Sequence, residues 1–528
     1  MSATPIRFVF RGALHQVSDV ASTTTVLEWL RLQVRAMGTK EGCNEGDCGA
    51  CTVVIGELDV DAPGGVSLRA INACIHLLAM LDGKALFTVE DLAAADAPLH
   101  PVQQAMVDCH GAQCGFCTPG FVMSLYSLYE NRQQPPDHGE ICHALAGNLC
   151  RCTGYKPIIA AALLAWQQPS QRLDRSGVHA QLQAIAQRPD LDYQAPANVG
   201  AGRVQAPATL AGLAQALDAA PKACILAGAT DIGLWINKQG RHLPHLIHLD
   251  RVPELQAITQ SADGALQIGA AVTHTRAWAA LVAQVPALAD LARRFAAPTV
   301  CNAGTLGGNV ANGSPIGDAM PALLALDATL LLQQGAGTRE VALADFYLGY
   351  QRSVLQPGEF LRSIHVPALP TSMSMPTSIP SAAGAAQSAG LPVQAAGLHV
   401  QVASYKVSKR ADQDITAVCA AFRIELQEGR IVQARVAFGG MAATPVRARQ
   451  CEAVLGGAAF TADTLRAAQQ ALHAELTPMS DLRASAAYRQ QVAANLLARF
   501  WLEVQQTLGG APDNDGRAVR LDQVEASA

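Results

Sequence analysis

Charge is scarce in this chain of 528 residues. Only 15% are Asp, Glu, Lys or Arg, and 38 basic against 43 acidic side chains leave a net of -5. No run of Lys and Arg stands out, so the electrostatic footprint of a nucleic-acid binder is missing. Long apolar runs are missing too. No stretch approaches the roughly 18 uninterrupted apolar residues that a membrane helix requires. The start, MSATPIRFVFRGALHQV, lacks the extended apolar core and small-residue cleavage site of a secretory leader. These absences predict a soluble, cytoplasmic protein with neither nucleic-acid nor membrane partners. The length predicts two to four domains, and an apolar half suits well-buried globular units.

Cysteine, by contrast, is plentiful: fourteen residues, ten of them between Cys43 and Cys152. A disulfide framework would need the secretion signals that are absent, so clustered thiols point to metal. In CNEGDCGACTV, Cys43, Cys48 and Cys51 follow C-x4-C-x2-C, with 22 residues intervening before Cys74. That is the spacing of a plant-type [2Fe–2S] site. Three thiolates of one loop reach a small anionic cluster only if the loop wraps tightly around it. Gly42, Gly46 and Gly49 allow that wrapping and let backbone N–H groups approach the sulfurs. Zinc, the competing metal, prefers paired C-x2–4-C knuckles. Around the loop, IRFVFRG and HQVSDV read as a strand hairpin, TTTVLEWLRLQV as an N-capped helix and CTVVIGEL as a strand. Residues 1–90 are therefore expected to form a small β-grasp ferredoxin-like domain.

A second set follows in residues 91–167. Cys109, Cys114 and Cys117 repeat C-x4-C-x2-C, and Cys142, Cys150 and Cys152 lie downstream, so six thiols compete for four positions. The pairs Cys114/Cys117 in QCGFCTPG and Cys150/Cys152 in LCRCTGY are the economical choice, each at the tip of a helical hairpin. HPVQQAMVDCHG, TPGFVMSLYSLYENRQ, GEICHALAGNLC and KPIIAAALLAWQQ read as four helices, with Thr118-Pro119 a good helix start. Here HPVQQAMVDCHG to KPIIAAALLAWQQ predict a bundle holding a second cluster.

Residues 168–204 are polar, with short helical pieces and Gly/Pro punctuation, and read as a linker. Beyond them ILAGATDIG, from Ile225 to Gly233, is an apolar strand feeding a small-residue turn. Such a turn can cradle a pyrophosphate, although a strand-to-helix turn without a ligand has the same pattern. It is not G-x-G-x-x-G. NAGTLGGNVANGSPIGDAMPALLAL, from Asn302, gathers more glycine, asparagine, Ser314 and Asp318 than core packing needs, and a cofactor lying across the backbone accounts for it. Residues 371–400 read as a low-complexity insertion, and 509–528 as a polar tail.

In this order, C-x4-C-x2-C…C, QCGFCTPG, CRCTGY, ILAGATDIG, NAGTLGGNV and YKVSKRADQDITAV resemble the xanthine oxidase (molybdenum hydroxylase) family. The resemblance covers nearly the whole chain except the linker, insertion and tail. It implies a multidomain α+β protein with a β-grasp [2Fe–2S] domain and a four-helix [2Fe–2S] domain. An α/β FAD-binding domain of the vanillyl-alcohol-oxidase-like kind (205–370) and a small α+β C-terminal flavoprotein domain (401–508) follow. It implies metal ligands Cys43, Cys48, Cys51 and Cys74 for one cluster and Cys114, Cys117, Cys150 and Cys152 for the other. Cys109 and Cys142 become ordinary buried thiols, and Gln113 a contact to molybdopterin or else a helix-end polar residue.

For FAD the resemblance implies that Ile225, Leu226, Ala227, Gly228, Ala229, Thr230, Asp231 and Ile232 hold the pyrophosphate. Thr305, Leu306, Gly307, Gly308 and Asn309 line the flavin, and Asp318 binds a sugar or ribityl hydroxyl. Phe295 stands beside the flavin or adenine, its plain alternative being core packing. Leu361 packs near the flavin and Lys406 contacts it, unless Lys406 belongs to a solvated basic edge.

Members of the family hydroxylate substrates at a molybdenum–molybdopterin centre on a large further domain, for which this chain leaves no room. The resemblance thus implies an iron–sulfur/FAD electron-transfer subunit with a large molybdopterin-binding partner, two copies of each. The fusion of clusters and flavin favours the xanthine dehydrogenase branch, with the equivalent subunit of an aldehyde or N-heterocycle dehydrogenase as the alternative. Electrons from purine hydroxylation are then expected to pass through the helical-domain cluster, the ferredoxin-like cluster and FAD to NAD+. None of the side chains is required as an acid–base catalyst.

Overall fold

The strand Ile6–Phe10 folds back through Arg11-Gly12 onto Ala13–Val17, pairing Ile6 with Val17 and Phe10 with Ala13. Ala85–Phe87 joins it in parallel, and Thr52–Leu58 and Val66–Asn72 complete a five-stranded mixed sheet. Thr25 caps the following helix by a reciprocal bond with Glu28, an arrangement that satisfies two otherwise orphaned N–H groups. The helix Val26–Glu28 then widens into a π turn over Trp29–Gln33. Trp29 meets Phe8 and Phe10 edge-on, at centroid distances of 5.0 and 5.4 Å. This is the expected β-grasp unit.

The structure is a computed structural model that describes residues 4–93, 96–370 and 397–509. Four helices, Pro101–Asp108, Thr118–Asn131, His138–Leu145 and Lys156–Ala165, form the second unit. Its Phe121, Tyr126 and Tyr129 share one core with Val54, Val66 and Leu68 of the ferredoxin sheet, so the two units are packed face to face. Cys109 is half-buried and Cys142 exposed, its sulfur 3.7 Å from His138 Nδ1. The expectation of two buried thiols fails because both sit near helix surfaces rather than on the packed face.

The stretch read as a linker is structured. Arg175–Ala186 is a helix whose Val178, Leu182 and Ile185 enter the same core. Leu191–Gln194 is a strand paired with Arg203–Ala206. Tyr193 is buried, and its hydroxyl accepts from the Val20 N–H at 3.1 Å, tying this segment to the first domain. A helix with one apolar stripe and a four-residue edge strand carry too little local pattern to stand out from a polar connection.

Two larger sheets and the short ribbon of Tyr347–Gly349 with Arg352–Ser353 build the central domain. In the first, Arg203–Ala206 and Cys224–Leu226 flank His245–His248 in parallel. The second is antiparallel, in the order Ile258–Gln260, Leu266–Gly269, Phe360–Val366, Thr329–Gln334, Gly337–Ala342. The C-terminal domain sets the long strands His399–Val407, Val418–Gln427 and Arg430–Gly439 against helices Ala462–Glu475 and Ala486–Thr507. Most of the expected insertion (371–396) and nearly all of the expected tail (510–528) lie outside the described residues. Among the described residues, no helix is long and apolar enough to cross a membrane.

Candidate cofactor sites

The loop 42–51 folds its three thiols toward Cys74. The Cys43 N–H donates to Cys48 Sγ at 3.3 Å, and the N–H groups of Cys48 and Asp47 donate to Cys43 Sγ at 3.3 and 3.4 Å. Gly46 and Gly49 take positive φ, +81° and +70°, and a Cβ on Gly42 would stand 2.8 Å from Cys48 Sγ. Cys43 is drawn well below the usual thiol range by sulfur hydrogen bonds from Cys48 and then Cys74. Cys74 in turn touches Cys51, and its own thiol is pushed up. Thiols brought against one another in this way suit an anionic group that takes four thiolates.

The second set meets across two helical hairpins. Cys114 Sγ lies 3.7 Å from Cys152 Sγ, and Cys117 contacts Cys150. Burial and Cys150 push the Cys117 thiol up to about 12. For Cys150 burial also acts upward, but the hydroxyl and N–H of Thr153 outweigh it and the net is downward. The Cys109 thiol is pushed up by burial and by the adjacent Asp108. Among the described residues no three His, Cys, Asp or Glu side chains are grouped for a single metal ion. A [2Fe–2S] cluster makes a different demand, four thiolates shared between two irons. Gln113 is exposed beside Cys114.

The two sets touch. The Leu149 N–H, adjacent to Cys150, donates to the Cys48 carbonyl at 3.0 Å. Buried Asn148 holds that approach, donating to Gly49 O at 3.1 Å and Thr52 Oγ1 at 3.2 Å while accepting from Ser124 Oγ at 2.6 Å. A Cβ on Gly49 would stand 2.2 Å from Gly147 O, so only glycine lets the loops close.

On the central domain a cavity of about 550 Å³ opens between the two glycine-rich stretches. That is within the range of small-molecule and cofactor sites. Ile225, Ala227 to Ile232, Thr305, Gly307, Gly308, Asn309 and Leu361 line it. Leu226 and Leu306 are fully buried behind the lining. The turns are pressed together: a Cβ on Gly228 would stand 2.0 Å from Ala303 O, and one on Gly307 2.4 Å from Ala270 O. Thr305 caps the helix Leu306–Asn312, accepting from Gly308 N at 3.0 Å. Asn309 Oδ1 is buried with no hydrogen-bond partner among the described residues. Bare backbone along the cavity, with the unspent acceptor of a lining asparagine beside it, fits a polar cofactor laid across the glycines.

Phe295, Asp318 and Lys406 do not line the cavity. Lys406 Nζ donates to Asp318 Oδ2 at 2.8 Å and to Phe295 O at 3.3 Å, and Thr416 Oγ1 bonds Asp318 Oδ1 at 2.6 Å. Lys406 is buried, so it is no solvated edge. This knot joins the central and C-terminal domains. Phe295 reaches the cavity only through His274, against which its ring packs at 4.4 Å. His274 itself lines the cavity; burial pushes it down to about 3, so it is neutral. His274, Trp235, Arg241, Tyr347 and Arg352 also border the space and escaped the sequence reading. Only Asn312-Gly313 offered a signal for Tyr347, since Gly313 ends the helix at φ +61° with no room for a Cβ beside that ring.

Four family models match successive parts of the chain. Residues 10–78 match the 2Fe-2S iron-sulfur cluster binding domain, and 88–163 the [2Fe-2S] binding domain. Residues 198–369 match the FAD binding domain in molybdopterin dehydrogenase, and 403–504 the CO dehydrogenase flavoprotein C-terminal domain. The chain belongs to the molybdenum hydroxylase family. Among curated molybdenum hydroxylases, "Xanthine dehydrogenase" of Drosophila subobscura is 31% identical over 94% of this chain and 39% of its own length. "Aldehyde oxidase 2" of Cavia porcellus is 30% identical over 95% of this chain and 40% of its own. The chain thus spans about two-fifths of the curated relatives it matches. A solved chain of reconstituted CO dehydrogenase from Oligotropha carboxidovorans is 26% identical, covering 58% of this chain and 97% of itself at a TM-score of 0.49.

Proposed function

We propose that this chain is the electron-transfer subunit of a cytoplasmic xanthine dehydrogenase. A large molybdopterin-binding partner, two of each, hydroxylates the purine, and NAD+ takes the electrons. The observation that carries the reading is the bond from Leu149 to Cys48, which joins the two cysteine sets within one packed unit that also holds the cavity. When bound, the two [2Fe–2S] clusters supply one-electron carriage and FAD two-electron exchange.

The chain's own residues bind and tune. Cys43, Cys48, Cys51 and Cys74 hold one cluster and Cys114, Cys117, Cys150 and Cys152 the other, with nearby N–H groups favouring the more negative state of each. Gly228 to Ile232 offer bare backbone to a pyrophosphate. Thr305 to Asn309 flank the flavin, with Leu361 against it. Phe295, Asp318 and Lys406 fix the adjoining C-terminal domain at that end. Exposed Phe116 and Leu149 beside the second set, with Gln113, suit a face that a partner covers.

The near-equal identities to a xanthine dehydrogenase and an aldehyde oxidase favour one second reading, the same role in an aldehyde or N-heterocycle dehydrogenase. Anaerobic visible spectra of the chain with its copurifying partner separate the two. Bleaching of flavin and iron–sulfur bands by xanthine supports the proposal. Bleaching by NADH but not xanthine removes the purine assignment and keeps the electron-transfer role. A folded, colourless preparation removes both.

A further inference from the structure

The helix Ile232–Asn237 leaves the cavity turn and runs directly onto the first cysteine set. Gly233 backs onto Ile75: an added Cβ would stand 2.6 Å from Ile75 Cβ and 2.9 Å from its Cα and carbonyl oxygen. Ile75, next to Cys74, also fills the space beside Gly46, where a Cβ would stand 2.4 Å from Ile75 Cδ1. At the far end of the helix, Asn237 Nδ2 donates to the Cys74 carbonyl at 2.7 Å and reaches Asn44 O at 3.3 Å and Asn44 Oδ1 at 3.2 Å. Asn44 holds a left-handed φ of +56°, a bend that asparagine tolerates better than other non-glycine residues. Lys238 adds a bond from Nζ to Cys43 O at 2.5 Å.

Asn237 therefore grips both sides of the site at once, the Asn44 bend of the loop and the Cys74 strand end. With the bend held, the N–H groups of Asp47 and Cys48 stay aimed at Cys43 Sγ. Donors on a thiolate sulfur stabilise the more negative, reduced form of an iron–sulfur group and raise its potential. We propose that Asn237 is a positioning residue for the iron–sulfur group of Cys43, Cys48, Cys51 and Cys74, setting its reduction potential from the flavin-cavity domain. The inference rests on the reading of those four cysteines as cluster ligands.

The test is a redox titration of the full chain with its iron and flavin, followed by low-temperature EPR, which resolves the two clusters. In Asn237→Ala one cluster shifts toward the oxidised form by about tenfold at a fixed potential, equivalent to about 59 mV for one electron. The other cluster and the flavin content stay at wild-type values. Asn237→Gln, which carries the same amide, restores most of the shift. Wild-type potentials for both clusters in an iron-replete Asn237→Ala chain overturn the inference. If the alanine variant does not fold, Asn237→Ser is titrated in its place, because its hydroxyl is too short to reach the Cys74 carbonyl, and the same two outcomes decide. A wild-type chain that folds without iron overturns the cluster reading itself.

Discussion

Gly228 shows how much a single missing side chain can carry. Its absent Cβ is what lets the cavity turn lie against Ala303 O. Forcing a methyl into such a contact costs about 1–3 kcal/mol, spent here in moving the turn. Gly228→Ala is expected to lower flavin retained through gel filtration at least tenfold while iron per chain is unchanged; equal loss of both would mean general unfolding. At the second set, Cys150 is the thiol held downward by Thr153. Cys150→Ser should abolish one of two iron–sulfur EPR signals and leave the other, and a chain keeping both signals would remove Cys150 from the ligand set. Cys109→Ser, outside the foursome, should keep both.

At the scale of elements, the contact between the ferredoxin sheet and the flavin domain holds a charge ladder centred on buried Lys84. Lys84, beside the strand Ala85–Phe87, stands between Glu57 at 2.5 Å and Asp250 just beyond His245–His248. Arg69 pairs with Glu57 and donates to Asn302 O at 2.6 Å, reaching the second glycine-rich stretch. Burial alone would raise Asp250 and lower Lys84, yet each keeps its charge because its partner outweighs burial. Removing the cation leaves half-buried Asp250 without its ion-pair partner and Glu57 with Arg69 alone, and breaking such a pair costs about 3–5 kcal/mol where it is fully buried. Lys84→Met should therefore melt well below wild type, and Lys84→Met with Asp250→Leu should recover part of the loss. Additive losses in the double variant would mean that the pair is not coupled. None of this ladder was legible in the sequence. Each charge is isolated in its own strand, and only the docking of two sheets makes them neighbours.

For the whole molecule, the same interface predicts a pH dependence. His248 is fully buried against Asp250, Lys84 and Glu57, and burial pushes it down to about 4. An unfolded histidine titrates near 6.5, so between these values the unfolded chain binds a proton that the folded chain refuses. Stability is then full above about pH 6.5 and falls as pH drops toward 4, by about 3 kcal/mol at the lower end. Wild type and His248→Gln, melted across that window, should differ in slope, the variant being flatter. Parallel curves would assign the acid loss to other groups.

The sequence by itself determined whatever depends on near neighbours along the chain. C-x4-C-x2-C, Thr25 with Glu28, Thr118-Pro119 and the two glycine-rich turns are local chemistry, and they sufficed for the fold class and for the family resemblance. The residues of the two turns that line the cavity were legible for the same reason, whereas Leu361 came only through the family resemblance. Tertiary structure alone decided which thiol meets which, Cys114 with Cys152 and Cys117 with Cys150. It also decided that the expected linker is part of the core, and that Phe295 and Lys406 sit in a domain junction with His274 between Phe295 and the cavity. Those contacts join residues far apart in sequence, and packing of whole sheets and helices fixes them. No spacing along the chain encodes that packing.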